Sequence, residues 1–261
     1  MIDWTAYEAV LFDLDGVLTA TARLHAASWK RMFDDYLRSR GAARAEPFRP
    51  FEMPGDYARF VDGRPRYDGV RTFLASRGIT LADGTPGDPP GRETVCGLGN
   101  RKNAMFTELL AGEGVEVYEG SLEVVRHLRR NGVRCAVVSS SRSCEAILRA
   151  AGLTDLFELR VDGQVAVRQG LAGKPAPDTF VYAARVLGVQ PSRAVVVEDA
   201  IAGVEAGSAG GFGLVVAIDR TGEADALARA GADHVVTDLG DTWKHAERDE
   251  AHPPEGSLTD G

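Results

Sequence analysis

An α/β fold, a parallel sheet flanked by helices with a helical module inserted after the first strand, is predicted by three observations on this 261-residue chain. Short apolar runs alternate with helix-length stretches, the pattern of successive βαβ units. Gly132, Gly152 and Gly188 follow three of those stretches, where a left-handed helix cap wants glycine. The block from about Leu24 to Gly114 departs from this rhythm and carries helical pattern without a convincing buried strand.

In chain order, strands are expected at Val10 to Asp13, Val133 to Ser139, Ala194 to Glu198, Leu214 to Ile218 and His234 to Val236. Helices are expected at Ser121 to Asn131, Ser143 to Ala151, Pro177 to Leu187 and Ile201 to Gly210. Inside the inserted block they are expected at His25 to Arg38, Tyr67 to Arg77 and Arg101 to Ala111. Pro47, Pro50, Pro54, Pro86, Pro89 and Pro90 punctuate that block with loops. The resulting division is a core at 1–20 and 115–241, a helical module at 21–114, and a polar tail at 242–261 expected to be disordered.

Composition narrows the class. Hydrophobic residues at 44% and charged residues at 26% suit a globular protein with a sizeable core. A net charge of -8 argues against coating nucleic acid or an anionic membrane surface. Met1 to Ala9 carries acids and no apolar signal region, and apolar runs such as Val195 to Val197 are strand-length, so neither a secretory signal nor a membrane span is expected. Cys96, Cys135 and Cys144 lack metal-type spacing and fit a reducing cytoplasm. Cys144, near a helix start, reads as packing, because no histidine lies nearby in sequence to serve as its base.

Four segments carry chemistry. Asp13 and Asp15 close the first strand, and Gly16 then lets the chain turn; two acids so close repel unless a cation or shared proton settles them. A surface Asp-Gly turn would look similar in isolation. Ser139, Ser140 and Ser141 end the second strand ahead of a helix, a natural phosphate cradle or a plain cap cluster. Lys174 sits on a loop stiffened by Pro175 and Pro177, where a fixed ammonium could neutralise a phosphate. Glu198 and Asp199 end the strand of three valines; hard oxygen ligands there suit Mg²⁺, and helix capping is the other reading.

In this order and spread, the four segments resemble the motifs of the haloacid-dehalogenase-like phosphotransferase superfamily. The resemblance implies a Rossmann-like core, a helical cap after the first strand, Mg²⁺ and a phospho-aspartyl enzyme. By motif position it makes Asp13 the nucleophile, Asp15 the general acid/base, Ser139 a ligand of the transferring phosphoryl group and Lys174 its counter-charge. Asp13, the Asp15 carbonyl, Glu198 and Asp199 would surround the metal. The physical logic agrees: a carboxylate attacks a phosphate dianion only when charge is neutralised, and nucleophile and proton donor must be different groups.

Within the superfamily, Thr21, His25 and Trp29 look like the hinge and first cap helix of the β-phosphoglucomutases. Val61-Asp62-Gly63-Arg64-Pro65-Arg66 is similar to that family's cap loop, with Gly63 in the loop and Arg66 matching its arginine for the distal phosphate. Lys102, in Gly99-Asn100-Arg101-Lys102-Asn103, matches the cap lysine. Ser143 and Gly69 depart from the family pattern, standing for an asparagine and a serine, and Arg77 to Gly99 is extra cap sequence. The resemblance implies interconversion of β-D-glucose 1-phosphate and glucose 6-phosphate through β-glucose 1,6-bisphosphate. The alternative is a Mg²⁺-dependent phosphatase of sugar phosphates. A cytoplasmic monomer acting on a small sugar phosphate, without nucleic-acid or membrane partners, is expected.

Overall fold

The computed structural model describes residues 1–242. Its six strands are β1 (Ala9–Phe12), β2 (Arg134–Val138), β3 (Leu159–Val161), β4 (Ala194–Glu198), β5 (Leu214–Ile218) and β6 (His234–Val236). All pairings are parallel, in the order β3-β2-β1-β4-β5-β6. Chain order reverses direction at β1, so the crevice beyond its carboxyl end is the topological switch point where open α/β sheets bind ligands.

The central strands are mostly apolar because both sheet faces are covered. Ala9 and Leu11 of β1, Ala136 and Val138 of β2, and Ala194 and Val196 of β4 bury one face. Their neighbours Val10, Phe12, Cys135, Val137, Val195 and Val197 bury the other. In chain order the helices are α1 (Ala22–Arg44), α2 (Gly55–Phe60), α3 (Arg66–Ser76), α4 (Val95–Glu113), α5 (Glu119–Arg130), α6 (Cys144–Ala150), α7 (Gly163–Gln169), α8 (Asp178–Leu187), α9 (Ile201–Ala209) and α10 (Ala224–Arg229). Helix α8 lays Phe180, Ala183, Ala184 and Leu187 on the first face, and α5 lays Leu122, Val124, Val125 and Leu128 on the second. Gly132, Gly152 and Gly188 adopt φ of 73°, 68° and 72°, as their capping positions require.

Helices α1 to α4 form a cap with a hydrophobic cluster of its own, drawn from residues between Trp29 and Met105. Aromatic rings dominate it: Phe33 lies 5.2 Å from Trp29, 5.2 Å from Phe51 and 4.2 Å from Phe73, centroid to centroid. The extra segment between Arg77 and Gly99 folds around Asp88, which is buried and accepts from Thr85 at 3.0 Å and Thr94 at 2.7 Å. Asn100 donates to the Asp88 carbonyl at 2.8 Å and accepts from Tyr67 at 3.0 Å, so this loop braces the start of α4.

The structure adds elements that pattern reading passes over. Strand β3 is a three-residue edge strand with only Val161 buried, too short to show a period. Helices α2, α7 and α10 have six, seven and six residues, below the length at which amphipathic spacing becomes readable. Helix α1 begins earlier and runs further than expected, through Gly41, and α4 starts at Val95, six residues before Arg101. Thr242, the first residue of the expected tail, is buried and accepts the Trp4 indole N–H at 3.1 Å; the rest of that tail, 243–261, lies outside the described residues.

Because the cap holds a separate aromatic core, damage there should stay there. Phe33→Ala is expected to destabilise the cap by about 3–5 kcal/mol through lost burial and the cavity left behind. Hydrogen exchange should show lost protection in α1 and α4 with the six strands still protected; uniform loss across the sheet would mean cap and core unfold as one unit.

Candidate active site

Three strand ends converge at the switch point. Phe12 pairs with Val137 of β2 and Val197 of β4, so the residues that follow each strand emerge level with one another. The Asp13 amide donates to the Val197 carbonyl at 2.9 Å, and the Ser139 amide to Val161 at 2.9 Å, extending the ladder by one residue at each end. Side chains anchored this way inherit the rigidity of the sheet.

Lys174 is buried between them. Its ammonium donates to Asp13 Oδ1 at 2.6 Å, Glu198 Oε1 at 2.5 Å and the Val138 carbonyl at 3.0 Å. All three donor protons are placed, so the ammonium cannot swing. The other Asp13 oxygen, Oδ2, accepts the Asp15 amide at 3.0 Å. Burial pushes the Asp13 carboxyl up to about 8; Lys174 opposes that rise, while Glu198 and Asp15 add to it. Burial raises Asp199 as well, reinforced by Asp62 and Glu198.

The donor set fits a hard divalent cation. Carboxylate oxygens of Asp13, Glu198 and Asp199 lie within 4.8 Å of one another, and Lys174 meets only two of the three. An excess of buried negative charge over oxygen-only donors is what Mg²⁺ would relieve. The Asp15 carboxylate stands apart from this cluster, which leaves its backbone carbonyl as the contribution the sequence reading assigned. Gly16 and Gly203 make room: a Cβ on Gly16 would sit 1.7 Å from Asp199 Oδ2, and one on Gly203 would sit 1.9 Å from Glu198 Oε1.

Asp15 has a different environment two residues away. Thr21 Oγ1 donates a short hydrogen bond to its Oδ1, and His25 Nε2 lies 3.4 Å from the same oxygen. Burial alone would raise Asp15, but His25 and Thr21 hold it below the usual carboxylate range. His25 stacks on Phe106 at 3.9 Å, and its Nδ1 meets Lys102 Nζ at 2.5 Å. With Lys102 donating to Nδ1, the proton of neutral His25 sits on Nε2, the nitrogen facing Asp15. Burial lowers both His25 and Lys102, and each is lowered further by a neighbouring cation, Lys102 for the histidine and Arg66 for the lysine.

Most of the expected site residues line one cleft between cap and core. Asp13, Asp15, Ser140, Ser141 and Asp199 line it from the core, facing His25, Trp29, Gly63, Arg66 and Lys102 from the cap. Ser139, Lys174 and Glu198 are buried behind the lining. Ser139 Oγ accepts the Ser141 amide at 3.0 Å, and Ser140 Oγ donates across to the Gly63 carbonyl at 2.7 Å. Arg66 donates to Asn103 Oδ1 at 2.6 Å, and burial lowers its guanidinium to about 10. Ser143 supplies no side-chain cap to α6, and Gly69 packs beneath Trp29 and Val61.

Sequence reading left out Tyr57, Asp62, Arg64 and Arg142, which also line the cleft. Asp62 and Arg64 stood inside the quoted loop motif, yet nothing in the local pattern says that the loop folds down onto Asp199. Burial pushes the Asp62 carboxyl up to about 7, with Glu198 and Asp15 adding to it. Cys144 does begin α6, and burial pushes its thiol well up, which suits packing.

The role of Gly16 gives a direct test of the metal cluster. Gly16→Ala would force Asp199 aside and strain a φ of +93°. Mg²⁺ affinity measured by titration calorimetry is expected to fall by about 10–100-fold. Unchanged affinity would remove Asp199 from the donor set.

Comparison with known proteins agrees with the geometry. Residues 7–211 match the haloacid dehalogenase-like hydrolase family. The β-phosphoglucomutase of Mycobacterium bovis is 51% identical over 236 residues, covering 89% of this chain and 90% of that protein. A haloacid dehalogenase family hydrolase from Deinococcus radiodurans, solved with phosphate and sodium bound, superposes with a TM-score of 0.60 at 33% identity, covering 91% of this chain and 94% of its own. The crystal structure of β-phosphoglucomutase from Clostridium difficile gives a TM-score of 0.68 at 20% identity over 90% of this chain and 92% of its own, a likeness of fold. The chain belongs to the haloacid dehalogenase-like hydrolases and, within them, to the β-phosphoglucomutase family.

Proposed function

We propose that the protein is a Mg²⁺-dependent β-phosphoglucomutase, interconverting β-D-glucose 1-phosphate and glucose 6-phosphate through an aspartyl-phosphate enzyme and β-glucose 1,6-bisphosphate. The observation that carries this reading is the cleft lining. Arg66 and Lys102 of the cap line the same cleft as Asp13, and Lys174 bonds Asp13 from the core side, which supports a reading with a cation at each end of the substrate. A phosphatase needs charge neutralisation at the nucleophile alone, whereas a mutase holds a second phosphate while the first is transferred.

In this reading Asp13 attacks phosphorus and the phosphorus–oxygen bond to the sugar breaks, leaving the phosphoryl group on the carboxylate. Asp15 protonates the departing sugar oxygen and later takes the proton from the hydroxyl that attacks in return. Lys174 balances charge on Asp13 and on the phosphoryl oxygens, and Ser139 with the neighbouring amides binds those oxygens. Asp13, Glu198, Asp199 and the Asp15 carbonyl would hold Mg²⁺, which supplies electrostatic stabilisation of the transferring group when bound. Arg66 and Lys102 hold the distal phosphate, and Trp29, Gly63, Ser140 and Ser141 shape the sugar's place. His25 ties the cap to Asp15, so that the proton acceptor is oriented when the cap is down. A cytoplasmic monomer acting on a small sugar phosphate completes the proposal; among the described residues no helix is long and apolar enough to cross a membrane.

Incubation with β-glucose 1-phosphate, Mg²⁺ and a trace of the bisphosphate tests the reaction. Glucose 6-phosphate should form in excess of free phosphate, and release of phosphate alone would make the enzyme a phosphatase. Asp13→Asn should abolish both turnover and phosphoenzyme formation while the fold persists, and residual phosphoenzyme would displace Asp13 as the nucleophile.

Arg66 separates the two activities. Arg66→Ala should cost sugar-phosphate turnover about 2–5 kcal/mol, since a buried phosphate would lose its charged partner. Hydrolysis of acetyl phosphate, which has no second phosphate, should change little. Equal loss in both assays would make Arg66 a structural residue.

A further inference from the structure

We propose that Pro65 and Gly173 form a spacer contact that sets the separation of the two phosphate-binding cations, and with it the sugar phosphates the lowered cap accepts. Pro65 immediately precedes Arg66 in the cap, and Gly173 immediately precedes Lys174 in the core. A Cβ added to Gly173 would lie 2.1 Å from Pro65 Cγ, 2.9 Å from Cδ and 3.5 Å from Cβ. The pyrrolidine ring therefore occupies the place a side chain at 173 would take. Gly173 is absent from the positive-φ glycines, so it serves this position through its lack of volume and not through backbone freedom.

The contact has a companion on the same loop. Ser140 Oγ donates to the Gly63 carbonyl at 2.7 Å, and a Cβ on Gly63 would stand 2.9 Å from the Ala200 Cβ. The loop at 61–66 thus rests against the segments after β2 and β4 and against the lysine loop. Arginine and lysine side chains are long and adaptable, but their roots are here held by hard contact between a fixed ring and bare backbone. How deeply the cap settles is then decided at Pro65, and the span from Lys174 to Arg66 follows. A span fixed in this way favours an ester carrying phosphates at opposite ends of a sugar ring, and positions a sugar hydroxyl against water as the acceptor.

This inference rests on the mutase reading of Arg66, and its test separates the two. Gly173→Ala forces the loop back by more than about 1 Å, and isomerisation of β-glucose 1-phosphate should fall by about 10–100-fold. Acetyl phosphate hydrolysis should persist, which also reports that the protein is folded and Lys174 in place. The double variant Gly173→Ala with Pro65→Ala leaves only the 3.5 Å contact between the two Cβ atoms, an ordinary distance, so isomerisation should return to within a few-fold of the parent. Loss of both activities without recovery in the double variant would place the damage at Lys174 and overturn the spacer, as would unchanged isomerisation in Gly173→Ala. If the parent protein releases phosphate and forms no glucose 6-phosphate, the mutase reading fails on its own. The spacer is then judged by hydrogen exchange at 61–66 with Mg²⁺ and glucose 6-phosphate present: faster exchange in Gly173→Ala, reversed by Pro65→Ala, upholds it, and equal exchange in all variants refutes it.

Discussion

The ammonium of Lys174, buried between Asp13 and Glu198, is the interaction on which the rest of the site depends. Carboxylates from the ends of two adjacent strands cannot share so small a dry volume without a counter-charge. The sheet brings them together because β1 and β4 pair in register and both end at the same level. The third strand of the set, β2, contributes the Val138 carbonyl that takes the remaining ammonium proton. A lysine so anchored is a fixed positive charge rather than a mobile one, and fixed charge is what stabilises a transition state without reorganisation at the moment of reaction. One cation among three clustered carboxylates leaves negative charge over, and that surplus is the physical reason the site suits a divalent metal.

The cap solves a different problem. Its helices hold together through an aromatic cluster separate from the sheet's core, so it can keep its shape while meeting the core mainly through the loop at 61–66, the first helix and α4. Polar contact is concentrated at the cleft: His25 with Asp15, Ser140 with Gly63, and the neighbouring Lys102 and Arg66. Burial lowers Lys102 and Arg66, so keeping both charged in this cleft has a cost that an anion would relieve. A phosphate entering there would gain two partners at once, and the same charge would be costly with no anion between the lobes.

The core cluster was legible in the sequence because all its parts but Lys174 lie at a strand end, next to an apolar run that identifies itself. Asp13, Ser139 and Glu198 follow or end strands that are buried almost throughout, and Lys174 is followed by Pro175 and Pro177. The cap was legible as helices, and His25, Arg66 and Lys102 proved to face one cleft. What sequence could not supply was the fold-down of α2 and the 61–66 loop, which brings Tyr57 and Asp62 toward Asp199. Burial pushes the Tyr57 hydroxyl well up, with Asp62 and Asp199 adding to it, and none of that follows from local pattern. Short elements were missed for a related reason: β3, α2, α7 and α10 exist because neighbours pin them, not because their own residues repeat long enough to declare a period.

Asp13 and Asp15 show how one strand end can hold two acids in opposite electrostatic environments. Asp13 faces other carboxylates in a dry pocket, and its charge depends on Lys174 and on whatever cation joins it. Asp15 faces a hydroxyl and an imidazole N–H, donors that favour its ionised form, so it stands lower. In the proposed mechanism a proton on Asp15 is then readily given to a leaving oxygen, and an ionised Asp15 can receive the proton of an attacking hydroxyl. His25 supports the second state through Nε2, while its other nitrogen, Nδ1, meets Lys102 of the cap. Lifting the cap would remove the imidazole from Asp15 and leave Thr21 as the remaining donor. In the proposed mechanism, orientation of the proton acceptor would then depend on whether the cap is down. That is the condition under which a sugar hydroxyl, held in place, can compete with water for the phosphoryl group.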